Sequence, residues 1–212
     1  MSQKRHEQRR QLLQAAYDLV PEVGVKGLRT REITARAQLH LSSFHYCFES
    51  KEVFLSGLYR FIVDQFDAER MHYLETGTSP KEKLERRLKL IAYLMREKPV
   101  ALRTLRTFFS EGWVDETVRG IVQAHYAAQR AQIAGWIAEG QADGTFSDMP
   151  TADPTIIASL LISLSDGFIF QLTFDCDAFS ATDYTGAVLS WMGLRNDTSV
   201  NDILIPEPAG RG

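Results

Sequence analysis

The sequence predicts an all-α protein, with an N-terminal three-helix helix-turn-helix domain and a larger helical domain behind it. Three observations carry that expectation. Apolar residues recur at spacings of three and four along most of the chain, the signature of helices with one buried face. No segment outside loops alternates with period two and β-branched enrichment, so no strand is expected. The stretch from Thr30 to Lys51, TREITARAQLHLSSFHYCFESK, reads as two short helices around a tight turn and the start of a third.

Residues 2–10 are a polar, basic arm ahead of the first helix. Leu12, Ala15, Ala16, Leu19 and Val20 form that helix's core-facing stripe. Pro21 should kink or shorten its last turn, Gly24 should stop it, and Val25 to Arg29 should form a loop. Thr30 is the N-cap candidate for the next helix, although Ile33 three residues on cannot complete a capping box. Ile33 and Ala37 give that helix its apolar side, and Gln38, Leu39 and His40 make the turn. In Leu41 to Phe48, Phe44 and Phe48 lie on one face and point inward. Leu41, Ser42, Ser43, His45 and Tyr46 stay outside. Two short helices crossing at such a turn form a shape whose second helix enters the DNA major groove.

Ser50 should cap a long helix reaching about Glu75, with Glu52 placed favourably in its first turn. Pro80 behind Ser79 opens a helix to about Lys98, striped by Leu84, Leu88, Ile91, Leu94 and Met95. Pro99 starts a short aromatic helix ending near Gly112, and Asp115 starts a long one to about Gln141. Asp153-Pro154 begins a helix to about Phe174 that is apolar nearly all round. The last helix spans about Thr182 to Gly193, and 194–212 is a polar tail expected to be disordered.

From Leu12 to Leu55 these residues resemble the N-terminal domain of the TetR family of bacterial transcriptional repressors. The resemblance rests on Ala15-Ala16, Gly24, Ile33, Ala37 and the run Phe44-His45-Tyr46-Cys47-Phe48-Glu49-Ser50-Lys51-Glu52. Its closing Phe-x-Ser-Lys-Glu is the most specific part. The chain departs from the family pattern at four places. Gln38 stands at the turn position usually held by Gly, so the backbone there must be left-handed at a cost or differently wound. His40 replaces the usual capping Ser, His45 a frequent Tyr, and Cys47 a common His or Tyr. The resemblance implies domains at 1–55 and 56–193, the second binding a small-molecule effector and forming a homodimer. It also implies that Lys51 touches a DNA phosphate, where a helix N-terminus and an ammonium together suit an anion.

Composition narrows the alternatives. The chain has 212 residues, 44% hydrophobic and 24% charged, ordinary for a globular protein. No apolar run is expected to span a bilayer, and MSQKRHEQRR lacks the apolar core of a signal peptide. With only Cys47 and Cys176, a reducing, cytoplasmic setting is expected. The net charge of −3 conceals an asymmetry. Residues 1–60 carry ten Lys/Arg and six Asp/Glu, net +4, and the other 152 carry fourteen and twenty-one, net −7. A basic head on an acidic body suits a protein that meets phosphates at one end.

The candidate DNA-binding residues are Thr30, Leu41, Ser42, Ser43, His45, Tyr46 and Lys51. Thr30 caps its helix or binds phosphate, and Cys47 is expected to pack. Phe108, Phe109, Trp113, His125 and Tyr126 are read as core or as effector walls, with His125 and Tyr126 as the orienting polar groups. Gly167 suggests a close helix approach at a dimer contact, and Asp166 beside it needs a partner there or in the cavity. An enzyme is not expected: there is no G-x-S-x-G elbow, no metal-ligand spacing and no Gly-rich phosphate loop. The expected partners are a palindromic double-stranded operator, a small effector and a second copy, with no cofactor and no membrane. The alternative is a helical DNA-binding or interaction module that takes no ligand.

Overall fold

The computed structural model describes residues 3–66, 77–147, 152–175 and 177–193. Among them every regular element is helical. In chain order these are α1 (Gln3–Gly27), α2 (Thr30–Arg36), α3 (Leu41–Cys47), α4 (Lys51–Val63), α5 (Pro80–Glu97) and α6 (Pro99–Ser110). A 3-10 turn (Glu111–Trp113) follows, then α7 (Glu116–Ala142), α8 (Pro154–Phe174) and α9 (Ala181–Trp191).

Two compact units divide the chain: 1–68 with 97–128, and 69–96 with 129–212. The head expected over 1–55 lies wholly in the first unit. That unit also takes in α6 and the first half of α7, because α6 packs on α1 and α4. Leu12, Ala16 and Val20 of α1, Ile33 of α2, Cys47 of α3, Leu55, Leu58 and Ile62 of α4 and Phe108 of α6 are all buried in it. Tyr17 seals one side, edge-on to Phe61 and hydrogen-bonded to the Thr104 side chain.

Several helix ends differ from the sequence-based expectation. The arm over 2–10 is helical from Gln3, because Arg5 and Arg9 continue the inward stripe of α1 and find partners on and just after α3. Pro21 sits inside α1, exposed. The break falls three residues later, at Gly24 (φ 69°, ψ 172°), a backbone region essentially confined to glycine. Val25 to Gly27 then make one more helical turn in place of the expected loop. The N-cap of α2 is Arg29, so Thr30 is its first helical residue; the cap makes no side-chain bond. α4 ends at Val63 with Asp64 as C-cap, short of Glu75, and no Gly or Pro marks that end. Residues 67–75 of the expected extension and the tail over 194–212 lie outside the described residues.

The second unit rests on cap chemistry, legible beforehand at Ser79-Pro80 and at Asp153-Pro154. Ser79 Oγ accepts from the Glu82 amide, with Pro80 at the first helical position. The Asp153 carboxylate accepts from the Thr155 amide, again ahead of a proline. Ser180 and Asp183 form a capping box at α9. Leu84, Leu88 and Ile91 of α5 are buried as expected, together with Leu90 and Tyr93. Phe146 folds back against Gly140, where a Cβ would overlap its ring. In α8, Ile157, Ala158, Leu161, Ile162, Phe168 and Ile169 face inward, and Tyr184 of α9 stacks on Phe168 with ring centroids 4.0 Å apart.

The expectation that no apolar run suffices to span a bilayer is corrected here. α8 has 21 residues, and an 18-residue window within it has mean hydropathy 1.7, long and apolar enough by length and composition to cross a membrane. Gly167 on this helix has no atom within 4 Å of where a Cβ would sit. The close approach expected there is therefore not made among the described residues of the single chain.

Candidate nucleic-acid interface

The turn between α2 and α3 imposes its geometry on Gln38. Gln38 is left-handed at φ 56°, the one non-glycine residue with positive φ among those described. Its amide donates to Ala35 O and that of Leu39 to Thr34 O, which closes α2. His40 enters α3 extended and offers no side-chain cap, as imidazole at an N-cap predicts.

α3 is only seven residues long, so its orientation depends on what holds its ends. Phe44 and Phe48 pack with Phe54 of α4 at centroid distances of 5.1–5.2 Å. Cys47 is fully buried, as expected, and burial pushes its thiol pKa up, away from the reactive thiolate. Two arginines of α1, unremarked in the sequence, hold the far end. Arg9 donates to the Cys47 carbonyl at 3.1 Å, with its guanidinium 4.5 Å from the Phe48 ring centroid. A cation at a helix C-terminus meets the negative end of its dipole. Arg5 lies 5.5 Å from the Tyr46 ring centroid and 3.7 Å from Glu49. Gly57 of α4 leaves room for the Arg9 guanidinium, which would lie 2.8 Å from a Cβ at that position. The signal was available: positions 5, 9, 12 and 16 continue one helical face.

The outward face of α3 carries Leu41 (44% exposed), Ser42, His45 and Tyr46 (52% exposed), with Ser43 half-buried. A cleft of about 420 Å³ beside it brings Thr30, His45, Ser50 and Lys51 together over a floor of Phe44, Phe48 and Phe54. Ser50 Oγ accepts from the Val53 amide, so the first turn of α4 opens at this cleft with Lys51 on it. The Lys51 ammonium is engaged by Asp115 Oδ2 at 2.5 Å.

Of the five expected effector residues, Phe109, His125 and Tyr126 form one aromatic cluster, with centroid distances of 4.9–5.9 Å. Tyr59 of α4, missed in the sequence, completes it. Its hydroxyl and His125 Nδ1 are hydrogen-bonded at 2.6 Å, and burial pushes its pKa up. Phe108 is fully buried beside Tyr59 as core. Trp113 is apart from the cluster: its indole is 85% exposed, because the 3-10 turn carries it outward. Asp166 is half-buried and its charge bears on Tyr184, whose hydroxyl is hydrogen-bonded to Ser165 Oγ at 2.9 Å. Among the described residues no three His, Cys, Asp or Glu side chains group to hold a metal ion.

Solved structures with the same architecture are numerous. A protein from Pseudomonas aeruginosa PAO1 assigned as a transcriptional regulator superposes with a TM-score of 0.76 at 15% identity, covering 89% of each chain. A Rhodococcus sp. protein assigned to the TetR family of transcriptional regulators gives 0.72 at 21%, over 89% of this chain and 98% of its own. The chain has the TetR-type fold. A regulator assigned in Saccharomonospora viridis, solved in complex with choline, gives 0.71 at 22% over 89% and 96%. No family model and no curated protein matches the sequence.

Proposed function

We propose that this TetR-type chain is a sequence-specific DNA-binding transcriptional regulator, a cytoplasmic repressor released from a palindromic operator by a small apolar or aromatic effector. The observation that carries the proposal is the head. A short helix held rigidly from behind presents Leu41, Ser42, Ser43, His45 and Tyr46 outward. It does so beside Thr30 and Lys51, in a segment of net charge +4. Short hydroxyls let such a helix sit deep in the major groove, tyrosine and histidine reach base edges or phosphates, and a lysine at a helix N-terminus suits phosphate.

The reading requires two copies, since one helix-turn-helix makes too few contacts for a specific site. α8 supports that requirement. Ile156, Leu160 and Leu164 at i, i+4 and i+8, then Phe170 and Phe174, leave a long apolar stripe exposed in the single chain, with Trp191 exposed on α9. The effector half of the reading is supported by the Tyr59, Phe109, His125 and Tyr126 cluster, an aromatic wall with three polar tips. The choline held by the Saccharomonospora protein is the kind of ligand that aromatic faces accept.

The test is selection from random duplex DNA followed by titration of the selected site. The expected outcome is a palindrome. In Lys51→Ala the slope of log affinity against log salt should fall by about 0.9 per subunit, nearly uniformly across sequences. Replacing Ser43 or Tyr46 should instead change sequence preference. Selection of no sequence above background would end the reading; an unchanged salt slope in Lys51→Ala would remove the phosphate role.

A further inference from the structure

We propose that Asp115 is an internal competitor for the DNA backbone. In the free protein its carboxylate holds the Lys51 ammonium that a phosphate takes in the complex, so the turn between α6 and α7 sets operator affinity. The inference rests on the DNA-binding reading of Lys51.

Lys51 occupies the first helical position of α4, where the helix dipole disfavours a cation unless an anion is near. Asp115 is that anion, and it is held in place from both sides. Its Oδ1 accepts from the Val118 amide at 3.1 Å, capping α7, while Oδ2 faces Lys51. The turn before it is tied down as well. Arg119 donates to the carbonyls of Gly112 and Trp113, and the amides of Val114 and Asp115 both donate to Glu111 O. The Asp115 carboxylate is mostly covered whereas the lysine is 65% exposed, so the lysine is the mobile partner. The Lys51 hydrogen bond is also the leading cause holding the Asp115 pKa below its usual range.

A phosphate approaching Lys51 must therefore take the ammonium from Asp115 and then tolerate that carboxylate beside it. A second tie runs between the same two helices. Tyr59 and His125 meet eight residues further along α4 and ten along α7, about 12 and 15 Å away at 1.5 Å per residue. A molecule that parts Tyr59 from His125 acts on the same pair of helices that carries the Lys51–Asp115 contact.

The experiment is a double-mutant cycle on the selected operator: wild type, Lys51→Ala, Asp115→Asn and the double variant. Asparagine caps a helix about as well as aspartate, so α7 should keep its start; Asp115→Ser, also a good cap, repeats the measurement. With Lys51 present, both Asp115 variants should tighten operator binding by about 2–5-fold per subunit, the scale of an exposed ion pair. With Lys51→Ala, most of that gain should vanish, because only the long-range field of one lost charge remains. Equal gains in both backgrounds, or weaker binding in both Asp115 variants, would overturn the competition. A wild type that binds no duplex would remove the DNA reading and this inference together. A normal operator response with an additive cycle would remove this inference alone.

Discussion

Arg9 contributes more than charge to the head. It donates to a carbonyl at the end of α3, lies over Phe48, and occupies the space that Gly57 leaves. Arg9→Met keeps the aliphatic stem while removing the hydrogen bond and the cation. The expected cost is about 1–2 kcal/mol of stability, from one hydrogen bond and one cation–π contact. Operator binding should weaken too, since α3 loses its rear anchor; unfolding in urea and the operator titration read the two effects separately. A variant as stable as wild type would mean that the Phe44–Phe48–Phe54 packing suffices to hold α3. Gln38 calls for the opposite change. A non-glycine residue at φ 56° is strained by about 1–2 kcal/mol, while glycine costs some backbone entropy. Gln38→Gly should therefore be neutral or stabilise by up to about 1 kcal/mol, and a clear loss of stability would show that the Gln38 side chain itself holds the turn.

Among the elements, helix starts were legible in the sequence and long-range partners were not. Ser50, Ser79-Pro80 and Asp153-Pro154 cap their helices as expected, because capping is a contact within four residues and leaves a local pattern. Lys51 with Asp115 and Tyr59 with His125 are 64 and 66 residues apart, and periodicity within a helix says nothing of which helix faces it. Arg5 and Arg9 were obscured differently: charged residues near a terminus look like a frayed arm until the face they continue is followed backward. Trp113 is near other aromatic residues in sequence but not in space, because the 3-10 turn carries it outward. The cap of α5 gives a prediction in pH. The Glu82 carboxylate accepts from the Thr78 amide and hydroxyl and from Arg86, which lowers its pKa from 4.5 to about 2. A depressed pKa means that the unfolded chain takes up the proton first. This stabilisation is therefore complete above about pH 4.5 and is lost as pH falls toward 2. Glu82→Gln should be less stable at pH 7 and should show a flatter acid limb across that window in urea titrations. An acid limb identical to wild type would mean that these bonds form equally in the unfolded chain.

At the scale of the whole molecule, the proposed function requires the exposed stripe on α8 to pair two copies. An operator with two half-sites rewards two recognition helices at a fixed separation, so the surface that fixes it matters as much as α3. Within α8 one face is buried, and the other leaves Phe170 61% and Phe174 76% exposed. Large aromatics in that position are costly in water at roughly 25 cal/mol per Å² of apolar area, and a second copy with the same stripe removes the cost for both. A membrane would cover the stripe as well, but Ser159, Ser163 and Asp166 share the helix, and an ionisable group at bilayer depth is expensive. The open space around Gly167 fits a close approach by a partner helix. Replacing Leu164 and Phe170 together by lysine changes side chains that are exposed in the single chain, so helicity should be retained. Light scattering should then give 24.0 kDa in place of twice that value. Operator affinity should fall by orders of magnitude while weak, salt-dependent binding to any duplex persists, because each head keeps its phosphate contacts and loses only its partner. A variant that scatters as a monomer yet binds the full palindrome as wild type would refute the dimer as the DNA-binding species. Wild type scattering at 24.0 kDa at micromolar concentration would refute the α8 interface itself.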